Sequence, residues 1–370
     1  MPILISGASV AGLTAAQRFS AQGVEVTVVE RAPGLRRQGA PLDVRGDALA
    51  VATDMGIGEM LAAHETGAAR RSAFAHFVDA HGRRVGALPN ALPQESADDL
   101  ELFRSDLIDI LRGSLGPEVT IMFGDSIADV ADTGDGVEVG FASGRAGRYD
   151  FLIGADGIHS NTRRLVFGPE ERYRRHLDVY YCILTLPKDL GGDGEVCIYS
   201  EPGRSVLIAG YADQAAGGLL FLSSEIDYDY HDAEQQRQLV IETCGTMRGW
   251  KSSAVIEALK QTDQFYVDSA SQVHMDHWWR GRVVLLGDSA FAPSFFSGRG
   301  TPLAMVGADV LATEWSASKE DLAQAFGRYE DIMRPRVQVA QQGVPQARDR
   351  IIPATWEAIE NRNQQWPPVN

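Results

Sequence analysis

Gly7-Ala8-Ser9-Val10-Ala11-Gly12 is the first stretch of the chain whose residue types and spacing imply a chemistry. It follows a short apolar run, Ile3-Leu4-Ile5, and opens a helix-compatible segment, Gly12 to Gln22, that Gly23 ends. Gly7 permits a tight turn out of a strand, and Gly12 permits close packing of the helix on that strand. Backbone N–H groups at the helix start, aided by the helix dipole, then suit a pyrophosphate. Val24 to Val29 reads as a second strand. Glu30 ends it, 23 residues after Gly7, and places a carboxylate where a ribose hydroxyl can donate to it. Ser9 stands where a middle glycine is usual and puts a side chain at the point of closest ligand approach.

Two other readings of this turn stay open. One is a βα turn with no ligand. The other is a nucleophile elbow, which Gly7-Ala8-Ser9-Val10-Ala11 also resembles. An elbow of that kind follows several strands rather than the first. Its triad histidine is also hard to supply, since no histidine lies after His277.

Two further strands end in an acid. Asp150 to Gly154 runs into Ala155-Asp156-Gly157-Ile158-His159-Ser160-Asn161-Thr162-Arg163, and Arg282 to Leu286 runs into Gly287-Asp288-Ser289-Ala290. Thr301 is a good N-cap and Pro302 a good first helical residue, so a helix beginning there aims its positive end at whatever lies before Gly300. Phe291, Phe295 and Phe296 offer an apolar wall for an aromatic ligand, or simple core packing. His274-Met275-Asp276-His277 has too few ligands for a metal and reads as a surface segment; no metal is expected. Arg36-Arg37 and Arg70-Arg71 read as solvated loops, with attraction of nicotinamide-cofactor phosphates as the alternative.

The elements that must position these residues change character along the chain. The strand, glycine turn, helix and strand at the start make a βαβ unit with a parallel pair. Ala75 to Asp79 and Arg83 to Val85 read as a hairpin turning through His81-Gly82. Ser105 to Arg112 reads as helix. Strands dominate from Asp178 to Leu222, where Tyr180, Tyr181, Tyr199, Tyr211 and Phe221 lie; alternation alone does not say which of them face a ligand. Asp232 to Thr246 and Ser252 to Lys260 are helical, a buried strand returns at Val283 to Leu286, and Pro302 to Arg350 is mostly helical with a break at Pro335. A domain with a second one inserted in it explains this order better than two consecutive domains.

Composition narrows the classes. At 370 residues with 44% hydrophobic and 23% charged residues, the chain builds a packed core and is not disordered overall. Its net charge of −16 argues against nucleic acid and anionic membrane partners, which want the opposite sign. No apolar run approaches a membrane span, and the first residues lack a signal-peptide pattern. Cys182, Cys197 and Cys244 are odd in number without a CxxC pair, so the expectation is a reducing, cytoplasmic setting.

In order and spacing, the three acid- and glycine-bearing stretches resemble the fingerprints of class A flavoprotein monooxygenases, the p-hydroxybenzoate hydroxylase fold. Glu101-Leu102-Phe103-Arg104-Ser105-Asp106-Leu107 is similar to that family's Arg-x-x-Leu segment, and Trp279 to Arg282 and Tyr329 to Pro335 also fit. The resemblance runs from about residue 2 to 336. Gly39 to Gly46 and Gly298-Arg299-Gly300-Thr301 look most like the branch containing flavin-dependent tetracycline-inactivating monooxygenases.

The resemblance implies an α/β architecture: a Rossmann-like FAD-binding domain (1-71, 100-172 and 268-317), an inserted β-rich substrate domain (72-99 and 173-267), and a C-terminal helical segment (318-370). It implies that Gly7, Ser9, Val10, Ala11 and Gly12 line the FAD pyrophosphate and that Glu30 holds the adenosine ribose. Arg31, Arg45, Arg104, Asp156, Gly157, Gly287 and Asp288 complete the cofactor set, Asp156 belonging to a motif that also serves NAD(P)H and Asp288 taking the ribityl chain. Gly298, Arg299, Gly300 and Thr301 lie beside the isoalloxazine, with Arg299 and Pro293 nearest the ring; Tyr199, Phe221, Pro293 and Phe295 are the substrate candidates. The implied reaction uses NADH or NADPH and O₂ to hydroxylate an aromatic or polycyclic natural-product-like molecule through a flavin C4a-hydroperoxide, with no general base nominated. Phe291 stands where the family often has histidine and Phe295 where it has proline, so an FAD oxidase, dehydrogenase or isomerase is the alternative. A non-catalytic, ligand-sequestering flavoprotein is a further one.

Overall fold

The structure, a computed structural model, describes residues 2–36, 41–66, 74–89, 99–192, 194–230 and 232–369. Arg37, Gly39, Ala40, Arg70 and Arg71 lie outside the described residues.

Strand β1 (Ile3–Ser6) leads into helix α1 (Val10–Ser20) and β2 (Val26–Glu30). A ribbon of β3 (Leu42–Val44) and β6 (Leu100–Leu102) brackets helices α2 (Asp47–Asp54) and α3 (Gly58–Ala63) and the hairpin β4 (Phe74–Val78) and β5 (Arg84–Pro89). Helix α4 (Arg104–Gly113), β7 (Val119–Phe123), the meander β8 (Ile127–Asp132), β9 (Val137–Phe141) and β10 (Ala146–Tyr149), then β11 (Leu152–Gly154) and α5 (Asn161–Val166) follow. The middle holds β12 (Arg174–Leu186), β13 (Val196–Glu201), β14 (Arg204–Gly210), β15 (Ala215–Leu222), α6 (Ala233–Cys244), α7 (Ser252–Gln261) and β16 (Phe265–Val273). The chain closes with β17 (Trp279–Arg280), β18 (Val283–Leu285), α8 (Asp288–Phe291), α9 (Gly300–Ala317), α10 (Leu322–Gln341), α11 (Val344–Ile351) and α12 (Trp356–Gln365).

The first sheet runs β17-β18-β11-β1-β2-β7, parallel except for β17. Both faces are covered, which explains why its strands read as unbroken apolar runs. Ile3, Ile5, Val26, Val28 and Val284 pack in the core that holds α1, α9 and α10. Leu4, Leu152 and Val283 pack on the β8–β10 meander with Val137, Val139 and Phe141. Phe19, Phe151 and Trp315 pack together on the helical side, Phe19 on Phe151 edge to face.

The second sheet runs β16-β12-β15-β14-β13-β4-β5, antiparallel except for β13 on β4. Its even residues on β12, Tyr180, Cys182 and Leu184, join Tyr199 and Phe221 in a closed core that includes Val240 and Cys244 of α6 and Val255 and Leu259 of α7. The odd residues face the other way, because successive side chains on a strand alternate. That face carries Tyr181, Leu207 and Leu220, and it packs toward Phe296 and Ile351.

Two helical expectations need correction. Helix α9 starts at Gly300 with Arg299 at its N-cap, so Thr301 and Pro302 are its second and third residues. A proline there still costs nothing, since the first N–H groups of a helix have no partner within it. Helix α10 does not break at Pro335. Pro335 is exposed, while Tyr329, Met333, Val337 and Ala340 on either side are buried; their packing outweighs one lost backbone bond. The stop comes at Gln342, whose backbone is extended, and Gly343, with φ of +74°, then begins the next helix.

Candidate active site

Adjacent parallel strands bring the motif residues together. Glu30 ends β2, the Gly7 turn follows β1, Asp156 lies just past β11, and Asp288 lies just past β18. Their order in the sheet is β18-β11-β1-β2, so all four lie at one edge, outside the C-terminal ends of the strands. Open α/β sheets bind ligands at that edge.

The turn itself is built for close approach. Gly7 has φ of +103°, and a Cβ there would lie 2.4 Å from the Ala155 carbonyl oxygen; a Cβ on Gly12 would lie 1.9 Å from the Gly7 carbonyl oxygen. Val10 and Ala11 form the buried first turn of α1. Glu30 accepts from the Ala8 N–H at 2.9 Å and from the Ala32 N–H at 2.8 Å, which holds its carboxylate beside the turn. Ser9 is the N-cap residue of α1, but its hydroxyl makes no cap. It accepts instead from Arg104 Nη2 at 2.6 Å.

Asp156 is tied by protein donors. Its Oδ2 accepts from Thr162 N–H and Oγ1, both at 2.8 Å, and from Ser6 Oγ at 3.3 Å; its Oδ1 accepts from Ser160 Oγ and from Ser289 Oγ at 3.2 Å. These bonds join all three motifs through one carboxylate. Gly157 donates to Ser289 Oγ at 2.9 Å, and buried Arg163 donates to the Ser289 carbonyl at 2.9 Å. Thr162, Arg163 and Ser289 lie within the sequence motifs but without a role of their own there: Thr162 caps Asp156 inside its own turn, whereas Arg163 and Ser289 act across to the other motif, which no local spacing encodes.

Asp288 follows Gly287 at the start of α8 and opens into the cleft. Crowding by protein pushes its carboxyl up, partly offset by the charges of Arg104 and Arg36. Arg104 has its own pKa pulled down to about 10 by desolvation and by Arg36. Arg104 Nε and Arg45 Nη1 are buried donors without an acceptor; Arg45 is otherwise paired with Asp43 at 2.8 Å. Such donors suit an oxygen-rich ligand. A glycine cradle, a carboxylate at the end of β2 and two unfilled guanidinium donors together fit FAD. Arg31 is exposed beside Glu30.

Beyond Asp288 the chain makes an irregular loop. Pro293 is buried and its carbonyl accepts from Gln272 Nε2 at 3.2 Å. Ser294 has φ of +89°, a region that non-glycine residues seldom adopt. Phe295 is 38% exposed and stacks on Tyr181 with centroids 4.6 Å apart. Gly298 takes the left-handed conformation, and the Arg299 N–H donates to Ser297 Oγ at 3.1 Å. Gly300 and Thr301 begin α9, so the positive end of an 18-residue helix faces this loop.

Not every expected residue reaches the cleft. Tyr199 and Phe221 point to the opposite face of the second sheet, into the core under α6 and α7. Tyr199 donates to Glu201 at 3.1 Å, and Phe221 stacks on Tyr180. Phe291 is core, packed on Trp278 at 4.7 Å. The cleft face carries Tyr181, Tyr266 and Asp268 instead: Tyr181 pairs across the strands with Asp268, and Ile183 with Tyr266. Arg36 lies over the Tyr266 ring at 4.8 Å. A cavity of about 210 Å³ opens between Phe103 and Arg104 on one side and Ile183, Thr185 and Ala216 on the other.

A family model described as FAD binding domain matches residues 1–338. The chain belongs to this FAD-binding family of class A flavoprotein monooxygenases. This flavoprotein is 39% identical over 338 residues to a Mycobacterium tuberculosis protein, 88% of each chain being covered. It is 32% identical to a flavin-dependent monooxygenase of Legionella longbeachae over 92% of this chain and 86% of the relative. Among solved structures it is similar to the tetracycline destructase Tet(55), at TM-score 0.82 and 32% identity, with 98% and 94% of the two chains covered. Tet(51) superposes at TM-score 0.84 with 29% identity, covering 98% and 95%. The flavoprotein is thus an oxidoreductase with a mixed α/β fold and FAD as its cofactor. Among its described residues no helix is long and apolar enough to cross a membrane.

Proposed function

We propose that this flavoprotein uses NAD(P)H and O₂ to hydroxylate an aromatic or polycyclic small molecule. The reading is carried by one observation: the three motif ends meet at one sheet edge, where Asp288 and Arg104 lie beside the stacked rings of Tyr181 and Phe295. When bound, FAD supplies the hydride acceptance and the activation of oxygen. The turn from Gly7 to Gly12 and the start of α1 hold its pyrophosphate, and Glu30 its adenosine ribose. Arg104 and Asp288 hold the ribityl side, and Arg45 adds a donor. Asp156 acts by fixing the three strands against one another, with Gly157 as the adjoining backbone contact. Gly287, Gly298, Arg299, Gly300 and Thr301 set the loop beside the ring, where the start of α9 and Arg299 favour negative charge. Pro293 and Phe295 shape the substrate side and help exclude water.

On this reading 1-71, 100-172 and 268-317 form the FAD-binding domain, 72-99 and 173-267 the substrate domain, and 318-370 a C-terminal helical segment. Three free cysteines, two of them buried, suit a cytoplasmic setting. The tetracycline destructases among similar structures make tetracycline the first substrate to try.

Purified protein incubated with FAD should turn yellow and consume NADH or NADPH with O₂. Product made under ¹⁸O₂ should gain one labelled atom by mass spectrometry. Phe295, standing on Tyr181 where the family has proline, supports a second reading as an oxidase, dehydrogenase or isomerase; an unlabelled product would select it. A colourless protein would end both.

A further inference from the structure

The second sheet carries a pocket on the face turned away from the flavin cleft. Val78 and Ile208 belong to the closed core under α6 and α7, on the side opposite Tyr181 and Leu207. At the margin of that core, where β5 meets the start of α7, lies a cavity of about 290 Å³. Val78, Cys197 and Ile208 give it an apolar side; Trp250, Lys251, Arg84 and Glu195 give it a polar one. The Arg84 and Glu195 side chains are 42% and 46% exposed, so the cavity meets solvent at their end.

Trp250 is held in place at a cost. Its φ of +48° is one that a bulky residue seldom adopts. The Trp250 N–H donates to the Ala80 carbonyl at 2.7 Å, in the turn between β4 and β5. Gly82 of that turn lets the indole close in, because a Cβ there would lie 3.1 Å from the ring. The Lys251 ammonium stands 5.7 Å from the ring centroid and donates to the Leu190 carbonyl at 2.7 Å. That bond uses one of its three protons.

The charges leave one positive group without an opposite. Arg84 and Glu195 pair with each other at 2.7 Å, whereas no carboxylate among the described residues pairs with Lys251. Lys251 is also the N-cap of the ten-residue α7, whose positive end adds to the field. His76, opposite Cys197 across the strands, adds no charge at neutral pH, since burial and Arg84 lower its pKa.

We propose that this pocket is a second ligand site, apart from the flavin, that binds a small aromatic monocarboxylate. The flat face of Trp250 takes the ring. The Lys251 Nζ takes the carboxylate in a charge-assisted hydrogen bond, which the apolar side strengthens by excluding water. Glu195 at the solvent end disfavours a second negative charge on the ligand.

The test titrates FAD-loaded protein with indole-3-acetate by isothermal titration calorimetry, with indole-3-acetamide as the neutral control and the flavin absorption spectrum recorded alongside. The acid should bind at least tenfold more tightly than the amide and leave the flavin spectrum unmoved. Lys251→Met should weaken the acid at least tenfold, while Lys251→Arg, which keeps the charge, should stay close to wild type. Trp250→Gly, whose backbone accepts a positive φ, should also lose at least tenfold. Lys251→Met decides the matter if Trp250→Gly does not fold. No binding at millimolar acid overturns the proposal, as does equal affinity in wild type and Lys251→Met. A flavin spectrum that shifts with the same midpoint overturns it as well, since the acid then sits in the cleft. None of these results bears on the flavin chemistry proposed above.

Discussion

Arg104 Nη2 donates to Ser9 Oγ at 2.6 Å and so ties the start of α4 to the glycine turn after β1. The side chain that replaces the middle glycine is drawn toward a cation rather than left over the ligand's approach. A charge-assisted bond of this kind contributes about 1.5–3 kcal/mol. Arg104→Ala should therefore weaken FAD binding about 10- to 100-fold, measured by quenching of flavin fluorescence. Ser9→Ala should lose less, because Arg104 keeps its charge. Equal affinity in all three proteins would remove Arg104 from the cofactor site.

Gly7→Ala tests the turn itself. Its Cβ would lie 2.4 Å from the Ala155 carbonyl oxygen, at a φ of +103° that alanine resists. Backbone displacement and strain together cost on the order of 2–4 kcal/mol. Thermal unfolding should drop by several degrees and FAD should no longer bind tightly. A variant as stable as wild type would mean that the turn relaxes freely.

Tyr199 and Tyr181 separate the two faces of the second sheet. Tyr199→Phe removes a bond to Glu201 inside the core and should cost about 1 kcal/mol in stability with substrate KM unchanged. Phe295→Ala, which strips the ring from Tyr181, should raise substrate KM severalfold with little change in stability. Steady-state kinetics and thermal melts on both variants check the pair; the opposite pattern would reverse the assignment of faces.

His159 links stability to pH. Its pKa rises from 6.5 to about 9 on folding, so the stabilisation is complete below about pH 6.5 and disappears as pH rises through 9. The amount is on the order of 1–3 kcal/mol, given a partly exposed ring. Denaturant melts from pH 6 to 10 should show this decline in wild type. His159→Gln should flatten it.

Asp288 costs stability where His159 adds it. Folding raises its carboxyl pKa, because crowding outweighs the help from Arg104. For an acid that sign means stability that is lost as pH climbs from 3.8 through the raised value. Asp288→Asn should therefore raise the melting temperature of the FAD-free protein and weaken FAD binding at the same time. A variant less stable than wild type would show that the carboxylate is well paired after all.

Much of the site was legible locally. The turn from Gly7 to Gly12, the carboxylate of Glu30 and the strands ending at Asp156 and Asp288 are short-range patterns, each set by one turn and one strand. Ser105 to Arg112 and the helices near 232 and 252 were visible for the same reason: their apolar spacing is a local property. What misled was competition from distant packing. Pro335 predicts a break, yet buried Tyr329, Met333 and Val337 keep α10 helical across it. Tyr199 and Phe221 have the right composition for a ligand wall but the wrong parity, and parity depends on which face each strand turns to its neighbours.

By itself the sequence determined the βαβ opening, the three motif ends and the FAD family, because each is written within a dozen or so neighbouring residues. Only the tertiary structure decided that Asp156 ties Ser6, Thr162 and Ser289 together. It alone turned Tyr181 and Tyr266, rather than Tyr199 and Phe221, toward the cleft, and tied Tyr266 through Asp268 to His159. The physical reason is register. A side chain's face and partners are set by pairing between strands as far apart as β12 and β16, which no local pattern encodes.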